Sequence, residues 1–192
     1  PGPGGLMTIA LIAIAVLIVV AVIWFISARN GMIAQRNRVD ESWSGIDVQL
    51  KRRHDLVPNL VETVKGYATH EQSVFEKTAQ ARSDAMAAHS VGETANAESQ
   101  LTSALTDLRA VAEGYPQLRA TENFQELSRN LSQLEDEIQA SRRIYNSNVQ
   151  AYNTKIQIFP NSIVAGQGGF TEREFFEIED HSEREPVAVS FE

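Results

Sequence analysis

Leu6 to Ile26 is a run of 21 residues with one polar member, Thr8, and no charge. A helix rises about 1.5 Å per residue, so the run spans about 32 Å, enough to cross a hydrocarbon core about 30 Å thick. A secretory signal peptide is the competing reading, but its apolar stretch is about 7–15 residues, with a basic start and a small-residue cleavage site. Here no Lys or Arg precedes the run, and Ser27-Ala28-Arg29 is a poor cleavage signal. The sequence therefore predicts one uncleaved span over residues 6–28, with residues 1–5 read as an expression remnant ahead of a natural start at Met7. Arg29, Arg36 and Arg38 follow the span closely. The positive-inside rule puts the domain after them in the cytoplasm.

The rest of the chain is not membrane-like. Of 192 residues, 43% are hydrophobic and 22% charged, with a net charge of −8, which excludes a fully disordered chain and a polytopic membrane protein. The absence of cysteine excludes disulfides, thiolate metal sites, a cysteine nucleophile and a lipidated cysteine.

Periodicity predicts long helices. From Arg29 to about His89 there is no strong stop. Val39, Trp43, Ile46, Leu50, Val57, Leu60, Val64, Tyr67 and Val74 form an apolar stripe in which Arg53 is the exception. Pro58 removes a backbone donor inside this pattern and predicts a kink or break. Ser90-Val91-Gly92 signals a turn, followed by a helix over about Glu93–Glu113 that Gly114-Tyr115-Pro116 ends. Thr121 caps a third helix, whose stripe runs Phe124, Leu127, Leu131, Leu134, Ile138, Tyr145, Val149, Tyr152 and Ile156 up to Phe159-Pro160. This pattern predicts close, nearly antiparallel packing. The second helix, about 32 Å long, is too short to cover a first helix of about 90 Å. Val39, Trp43, Ile46 and Leu50 thus need a partner: the helix's own kinked continuation, the tail, or another subunit.

Residues 161–192 carry eight acids against Arg173 and Arg184, with interleaved Phe170, Phe175, Phe176 and Ile178. They read as an extended acidic tail that docks on the bundle or on a neighbour, with weak strand pairing around 175–191.

The strings Asn37-Arg38-Val39-Asp40-Glu41-Ser42-Trp43-Ser44 and Asp47-Val48-Gln49-Leu50-Lys51-Arg52-Arg53-His54-Asp55-Leu56-Val57-Pro58-Asn59-Leu60-Val61 closely resemble the LemA family. Tyr67-Ala68, His70-Glu71, Glu113-Gly114-Tyr115-Pro116-Gln117-Leu118, Arg143-Ile144-Tyr145-Asn146, Tyr152-Asn153, Phe159-Pro160 and Gly169-Phe170 continue the match in order. The resemblance implies a single-pass bacterial membrane protein with a four-helix-type bundle over residues 29–160. It implies no catalytic residue. Some members occur beside a membrane-bound zinc metalloprotease, and one branch is linked to magnetosome membranes.

Candidate sites are few. His70-Glu71 begins like a zinc-protease motif, but Val74 stands where the second histidine belongs. His54, His70, His89 and His181 have no metal-ligand spacing. Gly166-Gln167-Gly168-Gly169 lacks the flanking strand of a phosphate loop, and the acidic balance disfavours nucleic acid. Lys51-Arg52-Arg53 reads as a solvated face, a headgroup contact or, preferred, ion pairing with Glu135-Asp136-Glu137 or the tail. Arg53, on the apolar stripe, either pairs or lies at the stripe's edge. Arg143, Tyr145, Asn146, Tyr152 and Asn153 form a polar network on the third helix, either structural or partner-facing.

The resulting expectation is an all-α protein with an N-terminal span, an antiparallel long-helix bundle and an acidic tail, lodged in the bacterial inner membrane. It would act without cofactors as a non-enzymatic scaffold or adaptor that self-assembles through Val39, Trp43, Ile46 and Leu50. A membrane-protease adaptor is the first alternative, and an enzyme with an unrecognised site the second.

Overall fold

A computed structural model describes residues 3–177, the side chains of Pro3, Gly4 and Leu6 aside. The described residues contain helices and no strand: α1 (Pro3–Lys65), α2 (Gln72–Ala87), α3 (Val91–Glu113), α4 (Pro116–Arg119), α5 (Glu122–Gln157) and α6 (Asn161–Gly168). Of the strand pairing expected around 175–191, residues 175–177 are described and form no strand, and the rest lies outside the described residues. Two compact units are present. One holds α1 up to Ser42 with Ser147–Arg173; the other holds Trp43–Asn146 and, from Glu174, the described end of the chain.

Helix α1 carries the apolar run and the first stripe as far as Val64 on 63 residues without a linker. An 18-residue window near its start has a mean hydropathy of 3.4 and is 0% buried. In the second unit one core draws Val57, Leu60 and Val64 from α1, Phe75 from α2, Leu101 and Leu105 from α3, Leu118 from α4 and Leu127 from α5. Leu101, Leu105, Leu108 and Ala112 form the buried face of α3, and Leu127, Leu131, Leu134, Ile138, Tyr145, Val149, Tyr152 and Ile156 of the predicted α5 stripe are buried.

Helix ends follow local chemistry. Ser90 and Glu93 form a capping box at the start of α3: the Glu93 N–H donates to Ser90 Oγ at 3.1 Å, and the Ser90 N–H donates to Glu93 Oε2 at 3.2 Å. Thr121 Oγ1 accepts from the Phe124 N–H at the start of α5.

The first helix departs from expectation in two ways. It does not break at Pro58, which sits inside α1, and it ends at Lys65 rather than continuing to His89. Gly66 and the short irregular segment after it separate α1 from α2, and Tyr67 lies exposed in that segment, off the stripe. Proline at 58 leaves the carbonyl of His54, four residues back, without its intrahelical donor. Arg82 of α2 fills the gap, its Nε donating to the His54 carbonyl at 2.6 Å.

Two further expectations are corrected. Asn161–Gly168 is helical and not extended; Gly169 at φ +67° closes α6 in the left-handed conformation that glycine adopts without strain. Val39, Ile46 and Leu50 are buried within the single chain, so they offer no open stripe to another subunit. Of the partners that the length argument left open, the segment after Gly169 supplies cover at Trp43, where the ring of buried Phe176 packs.

Arg82→Met should cost about 1 kcal/mol in denaturant unfolding, by removing the donor of a partly buried carbonyl. In a Pro58→Ala background the same change should cost clearly less, because the alanine supplies the missing N–H.

Candidate functional site

Arg53 falls where the stripe of α1 calls for an apolar residue, between Leu50 and Val57. Glu98 does the same on α3, one turn before Leu101. Each would be a buried charge alone, and the second unit brings them together. The Glu98 side chain is 0% and the Arg53 side chain 3% exposed, and Arg53 Nη2 donates to Glu98 Oε2. The other carboxylate oxygen, Oε1, lies 2.6 Å from Nε2 of buried His54. Thr102 completes the cluster: its hydroxyl accepts from Arg53 Nη1 at 3.1 Å and donates to the Glu98 carbonyl at 2.9 Å. Among the described residues, Arg53 Nε is buried without a partner.

Burial alone raises the pKa of a carboxyl group. Here it is outweighed by the His54 hydrogen bond and the charge and hydrogen bond of Arg53, which together hold Glu98 below its ordinary value of 4.5. Glu98 is therefore ionised at neutral pH, and His54 Nε2 carries the proton it shares with it. Both carboxylate oxygens are engaged, which suits a structural lock better than proton transfer to a substrate.

Beside the lock, Trp43, Asp47, Lys51, His54, His89 and Glu98 line an open cleft of about 500 Å³. Among the described residues no group of three His, Cys, Asp or Glu is placed to hold a metal. The basic run next to the cleft disperses. Lys51 pairs with Asp47 of its own helix at 2.6 Å, and Arg52 with Glu137 at 3.1 Å. Only Arg52 reaches the acids expected for the run. Arg53 goes to Glu98 because it is the one of the three that points into the interior. A His–carboxylate pair, absent from sequence spacing, forms across 44 residues. Its one sequence signal is that the α3 stripe, extended back a turn, meets Glu98.

The polar residues of α5 hold the extended segment after Gly169. In the first unit Asn153 Nδ2 donates to the Arg173 carbonyl and its Oδ1 accepts from the Arg173 N–H, both at 2.9 Å. Arg173 also reaches Asp40 Oδ1 at 2.9 Å. In the second unit Asn146 treats Phe176 in the same way, at 3.2 and 2.9 Å, and the Tyr145 hydroxyl donates to the Glu174 carbonyl at 2.9 Å. Arg143 is exposed and makes none of these contacts; Tyr152 is buried in the first unit, where loss of water pushes its hydroxyl pKa up. Phe176 is 0% exposed, with its ring 5.5 Å from that of Trp43, which also meets Tyr145 at 5.3 Å. Trp43 is thus partly covered by its own chain.

Comparison with known proteins places this architecture. The LemA family matches residues 42–191. The chain is 28% identical to magnetosome protein MamQ 2 of Paramagnetospirillum magneticum over 195 aligned positions, covering 88% of this chain and 72% of that protein. It is 27% identical to magnetosome protein MamQ of Magnetospirillum gryphiswaldense, covering 91% and 73%. It is 29% identical to protein LemA of Metamycoplasma hominis, covering 73% and 65%.

The lock and the clamp each set an expected outcome. A carboxylate with a lowered folded pKa contributes stability that is full above its unfolded value and lost as pH falls through the folded one. Thermal stability should therefore fall as pH drops below 4.5, and Glu98→Gln, less stable at neutral pH, should flatten that slope. Phe176→Ala should cost about 3–5 kcal/mol in denaturant unfolding and red-shift Trp43 emission, as water enters the vacated space.

Proposed function

The chain belongs to the LemA family, and on that premise we propose that it is a membrane-anchored, non-enzymatic scaffold or adaptor of the bacterial inner membrane. The observation that carries this reading is the continuity of α1, which bears the exposed apolar run and the bundle stripe on one helix. Such a helix confines the bundle to the bilayer plane and raises its effective concentration toward membrane partners and other copies. Arg29, Arg36 and Arg38, just past the run, favour a cytoplasmic bundle. Two relatives are named magnetosome proteins, which supports work at a membrane surface. The buried lock, with both carboxylate oxygens engaged, supports a structural use of its His–carboxylate pair.

Val39, Ile46 and Leu50 are buried within the chain, so this reading does not place self-assembly on them. Tethered copies meet instead through the span and the exposed helix faces, and the role served is maintenance of the cell envelope.

The full-length protein held in lipid nanodiscs should have the mass of a defined oligomer. A monomer that captures a membrane metalloprotease from native membranes would replace self-assembly by the adaptor reading. A monomer that captures nothing would contradict both.

A further inference from the structure

The unit that holds α1 up to Ser42 and Ser147–Arg173 carries an apolar turn that its own residues leave uncovered. Phe159 is 80% exposed, Ile158 50% and Ile163 53%. The register between α1 and α5 gives the turn its level. Asn148 Nδ2 donates to the Arg38 carbonyl at 3.4 Å. Seven residues on, a β-carbon at Gly31 would lie 2.6 Å from Lys155 Nζ. Seven steps forward on α5 thus match seven steps back on α1, which is antiparallel packing. The Ile158 N–H still donates to the Thr154 carbonyl at 3.1 Å, so the helical path persists past Gln157. Continuing the register sets Ile158 level with Ala28 and Phe159 level with Ser27, immediately after the apolar run ends at Ile26.

Charge points the same way. Residues 7–39 and 147–171 contain Arg29, Arg36, Arg38 and Lys155 and no acid, in a chain of net charge −8. Trp24, partly exposed near the end of the run, is the residue type that favours a membrane–water boundary. An exposed aromatic and two isoleucines on an acid-free, basic surface at that level match the chemistry of an interfacial lipid contact.

We infer that the turn bearing Ile158, Phe159 and Ile163 enters the headgroup region of the bilayer that α1 spans, as a second membrane contact. The turn and the span together hold the bundle at two points, which fixes its tilt as well as its tether. The inference rests on the reading of α1 as a membrane anchor.

The chain has no cysteine, so single cysteines report cleanly. Four full-length variants, Val16→Cys, Phe159→Cys, Ile163→Cys and Ser147→Cys, are labelled with an environment-sensitive fluorophore. They are reconstituted in phosphatidylcholine–phosphatidylglycerol vesicles. All four sites are exposed. Labels at 159 and 163 should be blue-shifted and quenched by lipid brominated near the headgroup. The label at 147, about 18 Å higher along the helix than that at 159, should be neither. The label at 16 should be quenched by deeply brominated lipid. Water-like labels at 159 and 163 with a quenched label at 16 overturn the inference and leave the anchor standing. A water-like label at 16 overturns the anchor, and the inference with it. Quenching at 147 equal to that at 159 also overturns the inference.

Discussion

A carboxylate with no exposure to water must be held by partners that replace water on both oxygens, and Glu98 is held this way by Arg53 and His54. The requirement is strict because an ion left unpaired in the interior costs several kcal/mol, about 3–5 when one partner of a buried pair is removed. A one-residue slip of α1 on α3 would strand both Glu98 and Arg53. An apolar stripe tolerates such slips, because leucine packs against most of its neighbours. The charge cluster therefore specifies the register of two helices whose remaining contacts are interchangeable aliphatic ones. The same turn of α1 contributes His54 twice: its ring to Glu98, and its carbonyl, freed by Pro58, to Arg82 of α2. One helical turn thus keys α1 to α2 and α3 in the second unit.

The segment after Gly169 is held by a different kind of constraint. Asn146 and Asn153 each offer one donor and one acceptor, the complement of a peptide group, so they bind backbone irrespective of its side chains. Phe176 supplies the apolar part of the attachment. The hydrogen bonds place the segment and the buried ring stabilises it. The segment meets Trp43, the tail being one of the three partners that the sequence left open for that stripe.

Much of this was legible in the residues. The apolar run, the 3-4 stripe of α5, the Ser90–Glu93 box and the Gly114–Pro116 stop each have a local cause, and the helices form where these signals lie. The exceptions are the features that depend on distant residues. Pro58 reads locally as a kink or break, and the donor that takes up the freed His54 carbonyl, Arg82, lies 24 positions on. Arg53 reads as needing an acid, but the acidic run Glu135-Asp136-Glu137 is more conspicuous than the single Glu98, although Glu98 is nearer along the chain. Helix α6 was hidden by the glycines at its end. Asn146 and Asn153 were visible as a polar face, whereas their target, a backbone, has no sequence signature.

As a whole the molecule combines an apolar helix suited to a bilayer with a bundle whose buried charges set its own register. That combination fits a protein that presents surfaces at a membrane better than one that transforms a substrate. The measurement closest to the central claim is a double-mutant cycle on Arg53→Met and Glu98→Leu, followed by denaturant unfolding of the full-length protein. The account predicts that each single change costs about 3–5 kcal/mol and that the pair together costs less than the sum by at least about 2 kcal/mol. Losses that simply add would mean the two charges do not depend on each other, and the register argument would fail.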